Sequence, residues 1–203
     1  MLVPAMSLPE IRAEIEKDYP ILFRKACYVC EKLAKEHKLR NDELLEQVFD
    51  YYSKYKNTWL YRINISKRTR NTRFLVYYYG KKGLNAIQPA FEASTRKSGA
   101  MIFFTAHFFN RYNERRSLQL IKPYDIMKKF ILENGEFHFD RLETIRGGVS
   151  RTLCVMETGV AMGVYDEITK WIRLNTYVSN ATLTGNQQER YDRMRAQFEE
   201  EDL

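Results

Sequence analysis

Apolar residues near the start of the chain recur at intervals of three and four, which is the spacing of one face of an α-helix. Pro9 and Glu10 mark a helix start, and the recurring positions that follow are Ile21, Leu22, Ala26, Cys27, Cys30, Leu33 and Ala34. Asn41 is placed to cap a second helix, whose apolar stripe is Leu44, Leu45, Val48, Phe49 and Tyr52. The pattern therefore predicts a helical hairpin over residues 8–55 that covers a sheet.

From Thr58 onward the apolar period changes to two, as in half-buried strands. Alternation and glycine turns predict strands at residues 59–65, 74–79 and 84–91, within a first strand set that spans residues 58–104. The turns between them are short, so we expect antiparallel pairing. Pro89 favours an edge position for the third strand.

Residues 101–116 predict a short apolar strand followed by a helix that Thr105 caps. On a helical period Phe108, Phe109 and Tyr112 form an apolar back. The opposite front carries His107, Asn110, Arg111 and Glu114, with Arg115 close by. A titratable imidazole beside two permanent cations is suited to holding a phosphate next to a proton-transfer group.

The remainder of the chain predicts a helix at residues 124–134, a tight three-stranded meander at residues 151–157, 160–165 and 168–179, and a terminal helix at residues 185–203. Alternation in the last strand places Thr176 with the apolar residues of one face and Tyr177 on a polar-aromatic open face. We therefore predict a single α+β domain over residues 1–203, with an N-terminal helical hairpin on a mostly antiparallel sheet, a central helix and a C-terminal meander, in which residues 105–183 form a helix-helix-meander core.

Composition adds a preference for a polyanionic partner, because 33 Lys+Arg residues against 26 Asp+Glu residues give a formal charge of +7. The loop between the first two predicted strands carries four cations, Lys67, Arg68, Arg70 and Arg73. This loop is either a basic finger that contacts backbone phosphates or a solvated hairpin tip. Lys81 and Lys82 form a second basic turn at the opposite end of the same strands.

Three cysteines without a disulfide pattern indicate a reducing compartment, and Cys27 and Cys30 are best explained as helical core residues. The first residues do not resemble a secretory signal, and no apolar run is long enough to span a membrane. We therefore expect a cytoplasmic protein that needs no membrane. The scattered histidines predict no metal site, and the chain has no P-loop or dinucleotide fingerprint, so we expect no cofactor.

What remains is metal-independent chemistry on a phosphodiester, which needs a proton-transfer group, cations and orienting donors. The spacing H-x3-R-x2-E-R of His107, Arg111, Glu114 and Arg115, with a later strand ending in Thr176, Tyr177, Val178 and Ser179, resembles the phage and polymorphic-toxin branches of the barnase, EndoU, colicin and RelE group of ribonucleases. The resemblance covers roughly residues 105–179 and implies an α+β fold and metal-free RNA cleavage by attack of the ribose 2′-hydroxyl.

Carried onto this chain, the resemblance implies His107 as the acid/base and Arg111 and Arg115 as phosphate clamps. Thr176 or Ser179 would then donate a hydrogen bond to the phosphate. It also implies RNA as substrate and an acidic protein as a neutralising partner.

Two alternatives remain open. In the first alternative, His107 is structural and the chain is a nonenzymatic nucleic-acid-binding or accessory protein. Its basic loops would contact phosphates, and its aromatic residues, Tyr177 among them, would stack on bases. In the other alternative, the N-terminal hairpin makes the chain a protein-interaction module.

Overall fold

The computed structural model describes residues 1–37, 43–67, 69–91, 98–135 and 137–201. Its elements in chain order are α1 (Leu8–His37), β1 (Leu45–Tyr52), β2 (Thr58–Ile65), β3 (Arg70–Gly80), β4 (Gly83–Phe91), β5 (Ser98–Phe104), α2 (Ala106–Arg115), α3 (Pro123–Glu133), β6 (His138–Arg146), β7 (Val149–Met156), β8 (Gly159–Asp166), β9 (Trp171–Ser179), a 3-10 turn (Asn180–Thr182) and α4 (Asn186–Glu201). The predicted α+β class with mostly antiparallel strands is confirmed. Contacts within the chain group into two compact units, Met1–Met101 and Ile102–Leu203.

The first unit places one long helix on an antiparallel sheet in the order β1-β2-β3-β4. Helix α1 buries one stripe, Ile11, Ile15, Asp18, Leu22, Ala26, Cys30 and Leu33. The strand register brings Trp59 beside Val76 and Tyr61 beside Phe74, on the face that α1 covers. The apolar face of β2, which repeats every two residues, thus packs against the apolar stripe of α1, which repeats every 3.6 residues.

A buried carboxyl group ties α1 to the sheet of the first unit. Asp18 is 1% exposed, and its Oδ2 accepts hydrogen bonds from Asn57 Nδ2 at 2.8 Å and from Trp59 Nε1 at 2.9 Å. Buried donors need such partners, because an unsatisfied one costs about 1–3 kcal/mol. Asp18 therefore sets the position of the helix over β2.

The prediction of a second helix in the N-terminal hairpin is wrong. Leu45–Tyr52 forms strand β1, which pairs with β2 over its whole length, and Phe49 stacks on Tyr61 with ring centroids 5.2 Å apart. Residues spaced by three and four include positions on both faces of a strand, and Val, Phe and Tyr all favour strands. The predicted cap, Asn41, lies outside the described residues.

The second unit packs α2 and α3 with an antiparallel sheet in the order β9-β8-β7-β6. The predicted meander is confirmed as β7, β8 and β9, and the predicted helices as α2, α3 and α4. Thr105 caps α2 as expected, because its Oγ1 accepts a hydrogen bond from the Phe108 backbone amide at 3.1 Å. Strand β6, which the sequence pattern did not predict, pairs with β7 through two irregularities in register.

A bulge in β9 overturns the predicted alternation of that strand. Met162 pairs with Thr176, whereas the next residue, Gly163, pairs with Leu174, so Asn175 is an extra residue. Leu174 and Tyr177, three positions apart, are consequently both buried at 0% exposure. Gly163 allows this approach, because a Cβ atom there would lie 2.0 Å from the Arg173 backbone oxygen.

Candidate functional site

The first unit contains an open cavity of about 430 Å³ beside α1 and β3. Its lining residues are Tyr19, Phe23, Cys27, Cys30, Glu31, Arg70, Asn71, Thr72, Arg73, Phe74, Gln88 and Pro89. The lining combines aromatic rings, a carboxylate and cations, which suits a ligand that has both a flat apolar part and charge. We take this cavity as the candidate site.

One side of the cavity is a row of α1 residues spaced by four, Tyr19, Phe23, Cys27 and Glu31. Residues spaced by four lie one above another on a helix, so the row runs along the helix axis. The Tyr19 and Phe23 rings are 5.8 Å apart, yet Phe23 remains 47% exposed. The sequence pattern missed this row, because only the neighbouring buried stripe has continuous apolar spacing.

Strand β3 forms the other side of the cavity. Arg70, Thr72 and Phe74 alternate along the strand opposite Ile65, Ile63 and Tyr61 of β2. The side chains on this face meet α1, since Thr72 Oγ1 lies 3.7 Å from Cys30 Sγ and the Phe74 ring packs edge-on against Tyr19 at 5.6 Å. The alternation therefore directs Arg70 toward the helix side of the sheet.

The cations around the cavity differ in their exposure and in their ion pairs. Arg70 is exposed and forms no ion pair with any residue that the structure describes. Arg73 lies opposite Arg62 in the strand register, and it is the Arg62 guanidinium that forms an ion pair with Glu46. Lys67 is exposed in the turn before β3, whereas Arg68 lies outside the described residues. Of the four predicted phosphate contacts, Lys67 and Arg70 are thus the exposed cations in the described part of the loop.

The Cys27 thiol lies in the middle of the α1 row and is exposed, so the prediction that it is a core residue is wrong, whereas Cys30 is buried as predicted. Desolvation, with smaller effects from Cys30 and Glu31, raises the pKa of the Cys27 thiol above its usual 9.0. A thiol with a raised pKa is largely protonated at neutral pH and is a poor nucleophile. The cavity is therefore better equipped to bind a ligand than to attack one.

The predicted catalytic residues of α2 lie on its exposed front. His107 and Arg115 are exposed, and Arg111 NH1 forms an ion pair with Glu114 Oε2 at 2.7 Å. The back of the helix faces β9, where Phe108 and Tyr112 contact the Tyr177 ring at centroid distances of 6.0 and 5.1 Å. The imidazole thus points away from the strand that was predicted to supply its partners.

The predicted residues of β9 are mostly enclosed. Tyr177, predicted to lie on an open face and to stack on bases, is 0% exposed, and its Oη donates to the Thr158 carbonyl at 2.5 Å. Burial also raises the pKa of its phenol. Ser179 is 2% exposed, and Thr176 is half-buried opposite Met162. The structure therefore does not bring the β9 residues to the same surface as His107.

A polar cluster behind α2 joins Tyr112, which was predicted only as part of the apolar back, to Lys129 and Glu133, which the sequence pattern did not single out. The Tyr112 hydroxyl donates to Glu133, and Lys129 Nζ lies 3.0 Å from Glu133 Oε1. Burial and this hydrogen bond raise the pKa of Tyr112. Burial acts to raise the pKa of Glu133, but hydrogen bonds from Tyr112 and Lys129 outweigh it and lower that pKa. The cluster links α2 to α3 and has a structural role.

Comparison with known proteins does not assign the chain. No protein-family model matches it, and no curated protein or solved structure shows significant similarity to it. In the described part of the chain, no group of three or more His, Cys, Asp and Glu side chains is arranged to hold a metal ion. None of the described helices is both long and apolar enough to cross a membrane. The assignment of a function therefore depends on the cavity itself.

Proposed function

We propose that the first unit binds single-stranded nucleic acid, RNA in the first instance, through the cavity beside α1 and β3. The observation that carries this proposal is that one cavity is lined both by the half-exposed Phe23 ring and by Arg70, an exposed cation without an ion pair among the described residues. A groove that offers a ring for stacking and a cation for the backbone is the arrangement that single-strand binding requires.

The aromatic part of the proposal rests on Phe23 and Tyr19. Leaving 47% of a phenylalanine exposed sacrifices part of its burial free energy, and its neighbour Tyr19 packs against the ring with the two centroids 5.8 Å apart. A nucleobase presents a flat apolar face to such a ring, and stacking contributes roughly 1–3 kcal/mol per base. The Phe23 ring therefore supplies a contact that tolerates any base.

The electrostatic part rests on Lys67 and Arg70. Both are exposed near the start of β3, and the whole chain carries a formal charge of +7. Phosphates bound by these two cations release condensed counterions, which makes binding depend on salt.

The direct test is the affinity of the purified protein for a labelled single-stranded RNA of about nine nucleotides, within the usual site size of a single-strand binding fold, measured by fluorescence anisotropy. Phe23→Ala should weaken binding about tenfold or more, given the stacking free energy above. The matched control is Tyr28→Ala, because Tyr28 is another exposed aromatic residue of α1, 67% exposed, that does not line the cavity. Equal affinities of the two variants would contradict the proposal.

Metal-independent ribonuclease activity is a second proposal, supported by the exposed imidazole of His107 one helical turn before Arg111. Total RNA incubated with the protein in EDTA tests it, with His107→Ala beside the wild type and circular dichroism to verify folding. Cleavage that survives EDTA and is lost in the variant would support it. No cleavage by the wild type would refute it and leave the binding proposal in place.

A further inference from the structure

The cavity contains an acidic residue that phosphate binding does not explain. Glu31 ends the α1 row, is exposed, and forms no ion pair within the described residues. In particular, no ion pair joins it to Arg70, although both line the same cavity. A carboxylate repels phosphates, so its place in a nucleic-acid site calls for a ligand group that donates hydrogen bonds.

The position of Glu31 separates it from the stacking ring. Glu31 follows Phe23 by eight positions along α1, which corresponds to about 12 Å at a rise of 1.5 Å per residue. The small side chain of Cys27 lies between them and leaves room for a ring. A base that stacks on Phe23 and a base that reaches Glu31 are therefore different nucleotides of one strand.

Guanine is the base that fits a carboxylate. An ionised carboxylate only accepts hydrogen bonds and has two oxygens, so it matches two adjacent donors. On its Watson–Crick edge guanine presents N1–H beside the N2 amino group, whereas adenine and cytosine place a ring acceptor next to their amino group. Uracil places its one N–H between two carbonyl oxygens. Only guanine satisfies both oxygens without placing an acceptor against one of them.

We propose that Glu31 makes the cavity selective for guanine at one position of a bound single strand, by accepting hydrogen bonds from N1–H and the N2 amino group. This inference rests on the proposed binding function and names the base that the same site selects. Glu31 also disfavours the other three bases, because it leaves their ring acceptors or carbonyl oxygens facing a negative charge.

The test uses four labelled oligonucleotides, one of uridine only and three with a single central G, A or C. The wild type should bind the G oligonucleotide about tenfold more tightly than the other three, the discrimination typical of a paired contact to a base edge. Glu31→Gln should bring the four affinities within about twofold of one another, chiefly by weakening the G complex and strengthening the uridine complex. The same set made as DNA shows whether the ribose contributes.

The control is Glu36→Gln, which removes the same charge from the same helix at a residue that does not line the cavity. This control should keep the preference for G. Equal binding of all four oligonucleotides by the wild type, or an unchanged preference in Glu31→Gln, would overturn the inference while the binding function stands. No binding of any oligonucleotide would overturn the binding function and the inference with it.

Discussion

Neutralising Lys67 and Arg70 together should reduce the salt dependence of RNA binding. Arg70 lines the cavity, Lys67 is exposed in the turn three residues before it, and neither forms an ion pair with another described residue. Each phosphate contact on a single strand contributes about 0.7 to the slope of log affinity against log salt, so two contacts contribute about 1.4. Raising salt from about 50 to about 200 mM should thus weaken wild-type binding about sevenfold more than binding by Lys67→Gln/Arg70→Gln.

The assay is anisotropy titration of the uridine oligonucleotide at several salt concentrations, with circular dichroism to verify that each variant is folded. The matched control is Lys81→Gln/Lys82→Gln, which removes the same charge from exposed positions at the other end of β3. If contacts are localised at the cavity, the control should keep the wild-type slope. Equal slopes for the two double variants would contradict a localised contact, because they would show that only overall charge matters.

Three further predictions concern the framework of the cavity and of the second unit. Asp18→Ala should lower the free energy of unfolding by about 2–4 kcal/mol in urea denaturation, because it leaves two buried donors unsatisfied; Asp18→Asn keeps an acceptor and should cost less, and equal losses would contradict this. Gly163→Ala should cost about 1–3 kcal/mol in the same assay, since its Cβ would collide with the Arg173 backbone oxygen. Cys27 should be the first thiol alkylated by iodoacetamide, as Cys30 and Cys154 are buried. Its rate should rise with pH around a midpoint above 9.0, because desolvation raises its pKa; a midpoint below 9.0 in mass-spectrometric time courses would refute this.

Local patterns were sufficient for elements whose stability depends on their own residues. Thr105 predicted the start of α2 because a hydroxyl cap satisfies an amide three residues on, and the structure shows that bond. Phe108, Phe109 and Tyr112 predicted the buried back of the same helix, and all three are buried. Such signals depend on spacings of three and four residues, which the sequence displays directly.

Prediction failed where a distant segment decides the outcome. The apolar spacing of Leu45–Tyr52 is compatible with a helix, but pairing with β2 and the stacking of Phe49 on Tyr61 make it a strand. In β9 one extra residue, Asn175, reverses the alternation and turns Tyr177 from a predicted surface residue into a core residue. The strand preference of Val48, Phe49 and Tyr52 is a local signal for β1, whereas the extra residue in β9 has none.

Local sequence patterns were enough to predict the α+β class, most helices and strands, the exposed front of α2 and the basic loop before β3. Which of the candidate residues meet depends on the tertiary packing. It turned the back of α2 toward β9, so that His107 points away from Tyr177. It also brought the row of Phe23, Cys27 and Glu31 into the lining of one cavity with Arg70. The buried faces and the caps of helices follow from residues that are close in sequence. A cavity is formed by side chains that are distant in sequence, and only the packing of α1 on the sheet brings them together.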